Sequence, residues 1–265
     1  MFESDGWVKL PAFFDKATVN TLEDAILDIY HTQARKIKDY QNLPRDMRAI
    51  LTAMEANDKD ILYECLKMIP QSLAVRSVYG AEFAQKLADY CGADPKTTLI
   101  EGPSLFANNP ETSRVSYKLH TEALFYSKRR KFCNVWTPLY GPRTKENGAM
   151  IVLPGSHLDH WDMSKATEYT GFDIKSKGKE KWGWQIEIPP KQVEKYKVEY
   201  TEATPGDIVV FHRNLVHGTG INITDQIAFA LVCRVWDYST DYSFSANMNT
   251  MAYKNGDVGR PDLVC

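Results

Sequence analysis

Cysteine is scarce and scattered. The five thiols, Cys65, Cys91, Cys133, Cys233 and Cys265, include no Cys-x-x-Cys pair. That argues against a thiolate zinc site or a disulfide framework, and an odd count fits a reducing compartment, with the cytoplasm as the expected location. No apolar run approaches the roughly 18 residues of a membrane helix. The opening segment MFESDGWVKLPAFF lacks the basic, apolar and cleavage regions of a secretory signal. Neither sign of charge is in excess, since 32 Lys and Arg face 34 Asp and Glu for a net −2. Duplex nucleic acid therefore has no electrostatic case as the main partner, and no membrane partner is expected. What the chain does have is apolar bulk: 43% of its 265 residues are hydrophobic and 12% aromatic. That is ample for a sizeable core and argues against global disorder.

The hydrophobic pattern changes character along the chain. Val19, Leu22, Ala25, Ile26, Ile29 and Tyr30 recur at helical spacing behind Asp15 and Lys16. A second helical stripe runs near Ile61–Ile69, and a third from Val78 to Cys91. Gly92 is placed to end the third in a left-handed conformation. Beyond Pro95, short runs rich in Val, Ile, Tyr, Phe and Trp alternate with Gly, Pro, Asn and Asp. They are Thr98–Phe106, Arg114–Leu119, Phe132–Leu139, Ala149–Leu153, Gln185–Ile188, Val198–Thr201, Asp207–Phe211 and Ile227–Trp236. The expectation is a mainly β jelly roll or closed barrel, flanked by N-terminal helices, in one domain. The helical flank would cover about 1–95, the β core about 96–240 and a tail 241–265. The lysine-rich stretch from Asp159 to Trp184 reads as a lid or a solvated loop.

Histidine is rare, with 6 in the chain, so each can be weighed. His120 and Glu122 stand two apart in Lys118-Leu119-His120-Thr121-Glu122, where strand period would put both side chains on one face. A distant strand must then supply a third ligand. The segment Asp207–Gly218 offers His217, with His212 as the alternative. His217 is favoured because Gly218 lets backbone approach closely. Two imidazoles and one carboxylate on one face are the donor set of non-haem Fe(II) oxygenases. Glu146-Asn147-Gly148 reads as a tight hairpin turn into a buried strand that ends at Pro154-Gly155-Ser156-His157. A structural role is expected for His157.

Together these residues resemble the phytanoyl-CoA dioxygenase-like family of Fe(II)/2-oxoglutarate oxygenases. The resemblance rests on His120-Thr121-Glu122 and Val135-Trp136-Thr137-Pro138-Leu139, then Asn147-Gly148 leading to Pro154-Gly155-Ser156-His157. His217-Gly218-Thr219-Gly220 with Asn222, and the opening Asp5-Gly6-Trp7-Val8, complete it. It implies a double-stranded β-helix (jelly roll, cupin-like), with Fe(II), 2-oxoglutarate and O₂ as cofactor and cosubstrates. The implied iron ligands are His120, Glu122 and His217, with Trp136 lining the cosubstrate pocket. Two departures stand out. Glu122 replaces the family's more frequent Asp, yet still supplies an oxygen ligand and argues against halogenation. The arginine that holds the far carboxylate of 2-oxoglutarate falls here on Ala228. Arg234, of the same strand parity, is the expected substitute, with Arg213 as the other candidate.

The implied reaction is hydroxylation of an unactivated C–H bond in a small soluble metabolite, with release of succinate and CO₂; desaturation, epoxidation and cyclisation use the same ligands. The rival readings are a cupin-like metal hydrolase or isomerase and a non-catalytic metabolite-binding barrel. The basic run Lys128-Arg129-Arg130-Lys131 and Lys175, Lys177, Lys179 and Lys181 would suit an anionic substrate. A monomer or a small homo-oligomer is expected.

Overall fold

The structure is a computed structural model describing residues 2–38, 40–110, 118–122, 131–161, 167–172 and 181–240. The strand expected at 114–119 falls almost wholly outside these residues. So do the 128–130 part of the basic run, Lys175, Lys177 and Lys179, and the tail from 241.

After a helical turn α1 (Phe2–Asp5) and strand β1 (Trp7–Leu10), the chain enters α2 (Lys16–Ala34). Asp15 caps α2 by accepting from the Thr18 N–H at 2.7 Å, a contact worth about 1 kcal/mol. Val19, Leu22, Ile26, Tyr30 and Ala34 form its buried stripe. Helix α3 (Met47–Asn57) buries Met47, Ile50, Leu51 and Met54. Asp58 ends α3 and caps α4 (Lys59–Met68), accepting from Asp60 and Ile61. Helices α5 (Leu73–Val78) and α6 (Ala81–Cys91) follow, and Gly92 closes α6 at φ 63°, as its position implied.

The strands are β2 (Thr98–Asn108), β3 (Lys131–Leu139), β4 (Met150–Val152), β5 (Thr167–Phe172), β6 (Lys181–Glu187), β7 (Glu199–Tyr200), β8 (Ile208–His212), β9 (His217–Thr219) and β10 (Ala228–Asp237), with a short α7 (Pro190–Val193) between β6 and β7. They form an antiparallel five-stranded sheet in the order β1-β8-β3-β10-β2, a three-stranded sheet β7-β4-β9, and the pair β5-β6. Along β10, Phe229, Leu231, Cys233 and Val235 point into the large cluster shared with the helices, whereas Ala230 joins Trp136, Met150, Val152, Val209 and Phe211 in a second cluster. The large sheet is thus buried on both faces, by helices on one and by the small sheet on the other, and β3 accordingly reads as a nearly unbroken apolar run.

The expected mainly β, closed jelly roll is not what forms. The fold is mixed α/β, with open sheets and substantial helices. Among the described residues, no ladder joins β1 or β2, the edges of the large sheet, to the small one. The strands of the small sheet, of 3, 2 and 3 residues, are too short to make a closing seam. Alternation in sequence assigns faces to a strand, but it does not say whether the outermost strands find each other.

Candidate metal centre

Backbone pairing brings the two distant histidines together. The His120 N–H donates to His217 O and the His217 N–H to His120 O, each at 3.0 Å, and β9 is fixed in turn by the pairing of His217 with Val152 of β4. The ring centroids lie 4.4 Å apart. His120 forms a single bridge rather than a strand, so strand period is not what aligns Glu122 with it.

Each imidazole is oriented by its own backbone. Nδ1 of His120 lies 2.6 Å from Lys118 O, and Nδ1 of His217 lies 2.9 Å from Leu215 O. A carbonyl only accepts, so Nδ1 carries the hydrogen and Nε2 of the neutral ring carries a lone pair. Both Nε2 atoms face Oε1 of Glu122, at 3.6 and 3.7 Å. These separations are too long for hydrogen bonds. Two lone pairs and an anionic oxygen converging on one point repel one another unless a cation lies among them. One donor atom from each of the three residues lies within 4.8 Å of the others. The set therefore fits a divalent first-row metal.

The second carboxylate oxygen is held separately: Arg234 Nη2 donates to Glu122 Oε2 at 2.7 Å, and its Nη1 lies 3.4 Å from Glu101 Oε1. Burial alone would raise the Glu122 carboxyl, but the Arg234 guanidinium and the two imidazoles outweigh it and hold it well below the usual range. Burial and the neighbouring His120 lower His217 against the pull of Glu122, which favours the neutral, ligating imidazole.

The other residues singled out from sequence fall nearby or elsewhere. Trp136 is buried in the second cluster, as is Phe211, whose ring lies 4.7 Å from that of His217. Arg213 is buried with its guanidinium 5.0 Å over the Phe132 ring. His157 lies 3.1 Å through Nε2 from Glu3 O, a structural contact. His212 stands apart from the three donors, accepting at Nδ1 from the Asn214 N–H. Burial, then His157 and Arg213, push its pKa down to about 4. The unfolded imidazole takes up a proton below about 6.5, the folded one only near 4, so acidification through that window favours unfolding. A loss on the order of 3 kcal/mol is expected between those values. In a denaturant titration series, His212→Gln should remove that part of the acid-side loss, and an unchanged pH profile would refute it.

Two buried polar groups were not singled out from sequence. Asn134, fully buried on β3, has neither amide atom hydrogen-bonded among the described residues. A lone Asn in the run Phe132–Leu139 was a readable signal. Arg143, in the turn beyond β3, is 4% exposed; nothing in its Gly-Pro setting marked it.

The chain matches the family model described as phytanoyl-CoA dioxygenase (PhyH) over residues 2–230. It belongs to the PhyH family. A curated relative, a probable phytanoyl-CoA dioxygenase of Caenorhabditis elegans, is 27% identical over 155 residues, 53% of this chain; the match spans only 43% of that longer relative. Solved structures share the fold of this PhyH member at low identity. The iron-bound EctD of S. alaskensis superposes with TM-score 0.55 at 17% identity, over 89% of this chain and 74% of that one. EvdO2 of Micromonospora carbonacea, solved with 2-oxoglutarate, gives 0.54 at 16%, over 89% and 88%. The carbocyclase SnoK of nogalamycin biosynthesis gives 0.55 at 15%, over 89% and 81%.

Proposed function

We propose that this PhyH protein is an Fe(II)/2-oxoglutarate-dependent dioxygenase that hydroxylates an unactivated C–H bond of a small molecule. The observation that carries the reading is the convergence of His120, Glu122 and His217 as neutral, anionic and neutral donors. Bound there, Fe(II) with 2-oxoglutarate and O₂ supplies the oxidising power, coupling release of succinate and CO₂ to insertion of oxygen into the substrate. The chain's own part is geometric. His120 and His217 present Nε2, Glu122 presents Oε1, and Arg234 keeps Oε2 turned away. Phe211 and Trp136 keep water from the inner side. None of the three donors acts as a general base.

The helices and the large sheet share one core cluster, which supports reading residues up to about 240 as one oxygenase unit. Among the described residues no helix is long and apolar enough to cross a membrane. Action in the cytoplasm, as a monomer or small homo-oligomer on a substrate with an anionic group, belongs to the same proposal. The test is succinate release from 2-oxoglutarate under Fe(II) and air, across a panel of small metabolites. The expected result is iron-dependent succinate, abolished by a chelator and increased by the true substrate. Hydrolase or isomerase turnover with zinc or manganese, and no succinate with iron, would replace this reading with its rival.

A further inference from the structure

The turn beyond β3 carries a buried cation away from the three donors. Arg143 is tied at its backbone to Ala203 in both directions, N–H to O at 2.8 Å and O from N–H at 3.1 Å, and this directs its side chain inward. The guanidinium lies 5.7 Å from the centre of the Trp136 ring. Nη2 donates to Gly148 O at 2.5 Å, while Nε has no hydrogen-bond partner. Among the described residues it makes no ion pair with a carboxylate. Burial with no acid beside it pushes its pKa down to about 10, and it stays cationic at neutral pH. An uncompensated buried charge is expensive and calls for an anion that binds there.

Arg143 and the donors are joined through one strand pair, with room between them for a dicarboxylate that reaches inward from each end. His217 is level with Val152 and Thr219 with Met150, and the Gly220 N–H donates to Ala149 O. Gly148 O, which also accepts from Asn108 Nδ2, is therefore about four residues along the strand pair from His217, or roughly 13 Å between backbones. Asn108 in turn pairs with Ala228, which carries only a methyl there. Arg234 suits the role less well, because Glu122 and Glu101 already flank it and a third carboxylate there would meet negative charge.

We propose that Arg143 binds the far carboxylate of 2-oxoglutarate, with Trp136 as the wall of that end of the site. The proposal rests on the oxygenase reading above. The test is anaerobic titration of the Fe(II)-loaded protein with 2-oxoglutarate and, separately, with pyruvate, which keeps the chelating 2-oxo acid but lacks the far carboxylate. Binding is read from the visible charge-transfer absorption of the chelate. The wild type should bind 2-oxoglutarate far more tightly than pyruvate. Arg143→Met should weaken 2-oxoglutarate by about 10- to 100-fold and leave pyruvate unchanged. Arg143→Lys, which keeps the charge but loses the fork, should show the same selectivity with a smaller loss, and it serves if the methionine variant does not fold. Unchanged 2-oxoglutarate binding in Arg143→Met, or equal weakening of both ligands, would overturn the assignment. If the wild type chelates neither compound, the oxygenase reading itself fails. If it chelates both equally well, that reading stands and the role of Arg143 falls.

Discussion

Replacing His217 with alanine is expected to take Fe(II) binding and coupled succinate release to background, whereas His212→Gln leaves both close to wild type. The two histidines are near neighbours in sequence, His212 closing β8 and His217 opening β9. Only His217 is tied by reciprocal backbone hydrogen bonds to His120. Only His217 aims Nε2 at Glu122. His212 packs its ring against that of His157 instead. Loss of an outer partner of a metal ligand costs about 10- to 100-fold in metal affinity, so loss of the ligand itself should exceed that range. His120→Ala should behave as His217→Ala does. Calorimetric Fe(II) titration under anaerobic conditions measures the binding, and a thermal melt of the metal-free variants checks that the fold persists. Near wild-type iron affinity in His217→Ala, with the fold intact, would remove that residue from the site and with it the functional assignment.

The three donors were legible because each sits in a short, chemically marked stretch. His120-Thr121-Glu122 needs only its spacing, and His217 stands out by its Gly-rich sequel. The turn at Asn147-Gly148 was equally plain, with Gly148 at φ 81° and the Thr144 N–H donating to Asn147 Oδ1. Among the described residues it closes no hairpin, since β3 pairs with β8 and β10 and β4 with β7 and β9. Helix α3 could have been read, since Met47, Ile50, Leu51 and Met54 keep helical spacing behind the cap Asp46. Strands β1 and β9, at 4 and 3 residues, are too short to show a period. They exist because β8 and β4 offer them edges. Closure was misjudged for the same reason, since pairing between edges is a tertiary property. The role of Arg234 was half legible. Its inward parity is visible in Ile227–Trp236, but which carboxylate it meets depends on where the turn at Glu122 lands.

That ambiguity makes Arg234 the second position where a large effect is expected. In Arg234→Met, Glu122 loses the partner that fixes Oε2, yet the carboxylate remains only 13% exposed at its side chain. A buried carboxylate stripped of its charged hydrogen bond costs about 1–3 kcal/mol. The metal-free variant should therefore melt below wild type. Metal affinity should fall by about 10- to 100-fold, because an unanchored carboxylate must be ordered on binding. A weaker-bound ligand stabilises the folded state less, so at equal free metal the variant should gain less stability than wild type. Glu101→Gln, whose contact with Arg234 is longer at 3.4 Å, should show the same pattern much reduced. Pyruvate and 2-oxoglutarate affinities of the metal-loaded Arg234→Met protein should change together, if at all. A selective loss of 2-oxoglutarate with metal affinity intact would make Arg234 the anchor of the far carboxylate. Arg143 would then be left as a clamp on the Asn147-Gly148 turn.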